Sequence, residues 1–404
     1  MKYTYLILIA IACFGCTSTQ KPSGQDTPEA QLPHIIDLSE LEFSDTPQCL
    51  SEFADSISYI RLSEEPLLRD LGLTTLYLDR NNNIYIDDRL IYKYTPKGEF
   101  VKSLFRFGQG PEEVIQKLGS GIYNSEEESV LVNNYGSESF RKYSLNGDFL
   151  DDISKEEGPG FYKQIVASIG DKEIFYSIPV HPNRGDKVNY DGAYLWYVKD
   201  LSKDSIVYKM KNSLFHIKAE MGYGLMQEGA YPLYLQTIDS VLCIRHVHQD
   251  TLFRTTDALK WEPWYVIKHH ERDANYSMLI RFRVFDVSIS EINGKYRVHE
   301  VYPLPSGVLF LYSELNSTSK KTGFCKHGEK ALTCSTKSFK NDLDDCLTSL
   351  DILSQPHFQK NGYLYVLVDA FEFFKEGAKS PFPDLTEESN PVLVKIKLKE
   401  AYEQ

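Results

Sequence analysis

Beyond about residue 55 the chain is a succession of short apolar runs broken by polar turns rich in Gly, Pro and Asn, a pattern that predicts strands rather than helices. Residues 74–78, 84–87, 91–94 and 100–105 read as four strands. Between them Asn81-Asn82-Asn83 and Pro96-Lys97-Gly98 supply residues that tolerate positive φ or preset a turn. The set then recurs. Lys93-Tyr94, Gly98-Glu99 and Phe100 align with Lys142-Tyr143, Gly147-Asp148 and Phe149; Ile84-Tyr85-Ile86-Asp87-Asp88 aligns with Val130-Leu131-Val132-Asn133-Asn134, and Gly110-Pro111 with Gly158-Pro159. This places a second set of strands over 121–124, 130–133, 140–143 and 149–153. A four-stranded antiparallel sheet recurring at roughly 40–50 residues cannot bury both faces alone, so the pattern predicts the stacked blades of a β-propeller.

The turn Phe107-Gly108-Gln109-Gly110-Pro111 falls after the outermost strand of the first unit, where the chain must cross inward to begin the next. No helix carrying a Lys-Ser or Lys-Thr pair follows, as a phosphate loop requires, so the turn is read as architectural. Further strands are expected over 174–178, 240–244, 307–312 and 363–368. The alternating Val392, Val394, Ile396 and Leu398 make a terminal strand able to share a sheet with 57–62 and so join the ends of a ring. Short helices are expected over 221–229, 341–353 and 369–375, and an exposed excursion over 317–340.

With these landmarks the sequence resembles the six-bladed β-propeller lipoproteins abundant in Bacteroidetes, an NHL-like family largely of unknown function. The resemblance rests on Ile57-Ser58-Tyr59-Ile60-Arg61-Leu62, Pro96-Lys97-Gly98-Glu99-Phe100 and Gly108-Gln109-Gly110-Pro111-Glu112-Glu113, followed by Asp250-Thr251-Leu252-Phe253, Asn341-Asp342-Leu343-Asp344-Asp345 and Asn390-Pro391-Val392-Leu393-Val394. It implies an all-β, six-bladed β-propeller over 34–404, with four-stranded antiparallel blades and short helical insertions in the later ones. On an NHL-like plan the crossing loops and the loops between the second and third strands open on the same face, at the mouth of the central channel. That placement makes Asp87, Asp88, Arg89, Arg106, Gln109, Asn133 and Asn134 a candidate polar binding rim, although each also suits an ordinary turn or strand end.

The front of the chain reads as an address. Lys2 precedes an apolar run over 5–12 that is too short to span a bilayer. Cys13-Phe14-Gly15-Cys16 resembles a bacterial lipoprotein processing site, which makes 1–15 the signal and Cys16 the acylated residue. Residues 16–33, rich in Pro, Ser, Thr and Gln, are expected to form a flexible tether, placing the globule at the cell envelope on a lipid anchor, in the outer membrane on its periplasmic or surface side.

The charge balance, 57 Asp+Glu against 44 Lys+Arg for a net −13, argues against nucleic acid as a partner, since no basic run offsets it. Seven cysteines exclude a dense disulfide framework, while an oxidising compartment permits one bridge, best placed among Cys325, Cys334 and Cys346. Cys325-Lys326-His327 with Cys334 lacks the paired spacing of a structural zinc site. His246, His248 and Asp250 alternate along one strand, as metal ligands or a solvated face would. His269-His270-Glu271 lacks the spacing of a zinc helix, and Asp79-Arg80-Asn81-Asn82-Asn83 lacks the glycine of a calcium loop. No metal or other cofactor is expected. Trp261, Trp264 and Tyr265 suit sugar stacking or, more commonly, packing between sheets. The sequence therefore points to a binding or scaffold module for a glycan, peptide or partner protein, more readily than to an enzyme. The alternative is a lyase or hydrolase acting on carbohydrate or peptide at the channel mouth, marked by a tight, buried cluster of His, carboxylate and Arg converging on the channel, with or without bound metal.

Overall fold

The computed structural model describes residues 32–400 apart from 38–41, 45, 69–70, 138, 155–156, 159–160, 180–193, 212–232, 247–249, 269–294, 315–316, 318, 330–331 and 335. Three strands come first: β1 (His34–Asp37), β2 (Glu42–Ser44) and β3 (Ala54–Arg61). The two repeats then form similar four-stranded sheets. The first holds β4 (Thr75–Leu78), β5 (Ile84–Asp87), β6 (Ile91–Tyr94) and β7 (Phe100–Ser103), and the second β8 (Ile122–Asn124), β9 (Ser129–Asn133), β10 (Ser139–Ser144) and β11 (Phe149–Ser154). The likeness extends to the backbone. Register slips at Lys93/Tyr94 in one sheet and at Lys142/Tyr143 in the other, just before a hairpin turn closed by Gly98 N–H on the Thr95 carbonyl and by Gly147 N–H on that of Ser144. Both glycines have φ above +80°, and a Cβ on Gly98 would collide with the Arg61 carbonyl, which explains why glycine recurs there.

A five-stranded sheet follows, in which the short β12 (Glu157–Gly158) edges β13 (Phe161–Ile169), β14 (Lys172–Pro179), β15 (Tyr194–Asp200) and β16 (Ser205–Lys211). Next come β17 (Leu233–Ile238), β18 (Val241–His246), β19 (Thr251–Thr255) and β20 (Glu262–Lys268), then β21 (Tyr296–Leu304), β22 (Gly307–Glu314), β23 (Lys320–Lys326) and β24 (Leu332–Cys334). A two-stranded ribbon, β25 (Phe339–Lys340) and β26 (Ser349–Leu350), precedes β27 (His357–Lys360), β28 (Tyr363–Val368) and β29 (Val392–Leu398). The N-terminal strands complete these later sheets from outside: β1 lies parallel on β20, β2 parallel on β24, and β3 antiparallel on β29. The expected union of the chain ends is therefore present, with Val394 opposite Tyr59 and Ile396 opposite Ile57.

The arrangement is an all-β propeller of four-stranded antiparallel sheets, with one departure from six separate blades. β17–β20 and β27–β29 belong to one nine-stranded sheet, because β17 and β27 pair directly where Ile238 meets Gln359. The separate sheets of four or five strands thus number four, not six. Packing between sheets carries the stability, since each sheet must bury its faces against neighbours. Tyr77, Tyr85 and Ile91 of the first sheet mesh with Val130, Val132 and Tyr143 of the second. At the closure, Leu76, Ile84 and Ile86 mesh with Leu367 and Leu393. Six such clusters follow one another around the molecule.

Several expectations are corrected. Residues 317–340 form no exposed excursion: they supply β23 and β24, and Phe324 and Cys325 are buried in separate clusters on opposite faces of their sheet. No helix forms over 341–353, where Asn341 and Asp344 side chains hold the backbone in turns by accepting from Leu343 N–H and Cys346 N–H. The expected helix over 369–375 is a single 3-10 turn at Ala370–Phe374, and 221–229 lies outside the described residues. Cys325 and Cys346 both carry free thiols, so no bridge joins Cys325, Cys334 and Cys346.

Candidate functional site

The innermost strands β4, β8, β13, β17, β21 and β27 surround a cavity of about 700 Å³. Alternation along a strand sends every second side chain to one face, and these strands give the cavity a mixed wall. One side is aromatic: Tyr77 and Tyr123 stack with ring centroids 4.2 Å apart, and Phe358 meets Tyr77 edge-on at 5.3 Å.

The other side is polar and built around Glu300. Register slips between Val298 and Glu300, leaving His299 as an extra residue in β21 whose ring nitrogen is tied to Ser313 Oγ at 2.8 Å. Such a bulge re-aims the side chains beside it, and Glu300 becomes a lining residue. Its Oε1 accepts from Gln236 Nε2 at 3.1 Å and lies 3.4 Å from His357 Nε2. The other imidazole nitrogen, Nδ1, donates to the Gln355 carbonyl at 2.8 Å, and the ring sits edge-on to Tyr302 at 4.6 Å. Burial disfavours the imidazolium, but Glu300 and the carbonyls of Gln355 and Ile352 outweigh it and lift His357 above its ordinary value. Burial also pushes the Tyr302 hydroxyl well up, keeping it neutral.

The seven rim residues do not form one surface. Asp87 is 0 % exposed, paired with Lys117 and accepting Gly121 N–H at 2.5 Å. Burial raises its carboxyl above the usual range against the pull of Lys117. The Asp88 carbonyl accepts from Lys117 Nζ at 2.6 Å, and Asn134 Oδ1 accepts Ile115 N–H at 2.9 Å. Asp87, Asp88 and Asn134 thus fix the crossing loop that carries the chain from the first sheet to the second. Arg106 and Gln109 are exposed on that loop, Arg89 is exposed on the turn between β5 and β6, and of the seven only Asn133 lines the cavity. The glycine turn closes on itself. Gly110 N–H donates to Glu113 Oε2 at 2.9 Å, and a Cβ on Gly108 would strike the same carboxylate, so protein fills the place a phosphate would need.

Other candidates resolve as structure. Asp79 accepts from Asn81 N–H, Asn83 N–H and the Tyr85 hydroxyl, which makes it the organiser of a hairpin turn. Trp261 packs edge-on against Trp196 at 5.2 Å between sheets and donates to the Ala258 carbonyl. His246 is buried at the end of β18, Asp250 accepts from Thr251 Oγ1, and His248, His269 and His270 lie outside the described residues. Among the described residues no group of three or more His, Cys, Asp and Glu side chains could hold a metal ion.

Residues 33–397 match the domain of unknown function DUF4934. The chain belongs to the DUF4934 family. No curated protein matches the sequence of this DUF4934 protein. Among solved structures it is similar to a Bacteroides fragilis protein described as exported, at 13 % identity and TM-score 0.60, covering 91 % of this chain and 100 % of that one. A member of the DUF4221 family from Bacteroides vulgatus matches at 13 % identity and TM-score 0.46, over 86 % of this chain and 97 % of its own. A virginiamycin B lyase from Staphylococcus aureus matches at 9 % identity and TM-score 0.38, over 85 % and 99 %. The first of these likenesses bears on fold alone.

Glu300, His357, Gln236 and Gln359 carry no local motif. They lie on β21, β17 and β27, far apart in sequence, and only ring closure brings them to one cavity. The one available signal was a carboxylate inside the otherwise largely apolar β21.

Proposed function

We propose that this DUF4934 protein is a binding module of the cell envelope whose ligand enters the central cavity. The observation that carries the reading is the cavity itself, aromatic on one wall and polar on the other, of the size and composition that small-ligand sites share. The Glu300–His357 pair favours binding over catalysis. A general base needs a nitrogen lone pair facing its substrate, whereas both nitrogens of His357 already point at acceptors. The six packing clusters and six cavity-lining strands also support counting the nine-stranded sheet as two blades joined at one bridge, which gives a six-bladed ring.

Ser120 is exposed and lines the cavity, so Ser120→Trp obstructs access without touching the core. A screen of the protein against glycans, short peptides and small metabolites is expected to give at least one saturable ligand, with Ser120→Trp weakening it about tenfold or more, the scale of about 1.4 kcal/mol. Catalytic turnover of that ligand, or unchanged affinity in Ser120→Trp, would defeat the proposal. The anchor is a separate expectation resting on Cys16 and the tether: Cys16→Ala should move the protein from the membrane to the soluble fraction, and full retention at the membrane would reject it.

A further inference from the structure

The cavity holds more hydrogen-bonding capacity than the protein uses. Gln359, 2 % exposed, and Asn133, 9 % exposed, each have a buried side-chain oxygen with no protein partner. The same is true of Gln236 Oε1, Thr75 Oγ1 and the Tyr123 hydroxyl, and all five residues line the cavity. For Gln236 the orientation is fixed chemically: its amide nitrogen donates to the Glu300 carboxylate, which can only accept, so its carbonyl oxygen is the group left over. Charge is distributed differently. Glu300 faces His357, Arg80 donates to the Glu126 carbonyl at 3.2 Å, Lys360 donates to Asn82 Oδ1 at 3.0 Å, and the Asp239 carboxylate accepts Asn361 N–H. Glu300, His357, Arg80, Lys360 and Asp239 are thus engaged by the protein, whereas these five neutral oxygens are not.

We propose that the cavity takes a neutral polyhydroxylated ligand, a sugar residue or short neutral sugar chain, read by the amides of Gln236, Gln359 and Asn133. This rests on the cavity-binding reading and narrows it. A hydroxyl both donates and accepts, so it satisfies either end of an amide, whereas an ammonium only donates and a carboxylate only accepts. Gln359 is level with Ile238, and Gln236 lies two residues back along β17, so these two amides sit on paired strands of one wall, while Asn133 lines the cavity from the end of β9; a ligand with several hydroxyls can engage more than one of them. Tyr123 and Phe358 supply apolar surface for the ring faces.

The test uses the full-length protein in a zwitterionic detergent without sugar headgroups, titrated calorimetrically with glucose, galactose, mannose and maltose, and with glucuronate and glucosamine as charged counterparts. At least one neutral sugar should bind saturably, about tenfold or more tighter than the charged counterparts. Gln359→Leu should weaken it about tenfold while leaving the melting temperature unchanged or higher, because an unpartnered amide is replaced by an apolar group of similar size. Thr75→Val, nearly isosteric, provides the second variant should Gln359→Leu not fold, and should weaken binding at least threefold. Charged counterparts binding as tightly, affinity within twofold in both variants, or no neutral sugar binding would each overturn this inference. Saturable binding of another ligand class that Ser120→Trp weakens would then leave the broader cavity reading standing; no ligand of any class would remove both.

Discussion

At the scale of single residues, the polar groups with the greatest consequence are those the fold buries in pairs. Asp87 and Lys117 join the end of β5 to the crossing loop in a buried ion pair, and removing one partner from such a pair commonly costs about 3–5 kcal/mol because a charge is left without compensation. His357 gives a pH dependence whose sign can be worked out. Its value in the folded state lies above the ordinary 6.5, so its stabilisation is complete below pH 6.5 and is lost as pH rises through the raised value. His34 acts in the opposite sense: burial and the stacked His327 ring, 4.3 Å away, lower it to about 4, so its contribution is lost as pH falls from 6.5 towards 4. Melting temperatures should therefore decline on the alkaline side of pH 6.5, and Glu300→Gln should flatten that decline specifically. A decline of equal steepness in Glu300→Gln would show that the imidazole is not its source.

At the scale of elements, legibility followed locality. Each strand of the two early repeats was readable because its neighbours in space are its neighbours in sequence, joined by turns such as Pro96-Lys97-Gly98 whose chemistry is visible in the letters. The closing pair β29 and β3 was readable from the alternation of Val392, Val394, Ile396 and Leu398. β23 and β24 were not, because the Lys-, Ser- and Thr-rich composition of 317–340 mimics a solvated loop while Phe324 and Cys325 find burial in two clusters, on opposite faces, with strands distant in sequence. The same reason hid the cavity. Asp87, Asp88, Asn133 and Asn134 advertise polarity at strand ends, but apart from Asn133 that polarity is consumed in holding loops. Glu300 faces the cavity through a bulge that no residue pattern announces.

At the scale of the whole molecule, the segment formed by β1, β2 and β3 laces the outside of three sets of strands in succession, on β20, then β24, then β29. Unpaired outer edges invite pairing with other chains, and the lacing occupies three of them with the protein's own backbone. It also sets the order in which a mechanical load is felt. Tension drawn through the N-terminal end reaches β1 before β2, and β2 before the seam that shuts the ring. A single molecule stretched between its N-terminal end and an attachment at the exposed Leu150 of β11, which leaves β29 outside the loaded stretch of chain, should consequently give way in steps, two small releases of length preceding the large one. A single abrupt rupture would mean that the laces and the seam yield as one body. In the stepped case, the outer strands act as fuses that spare the cavity while the protein is tugged.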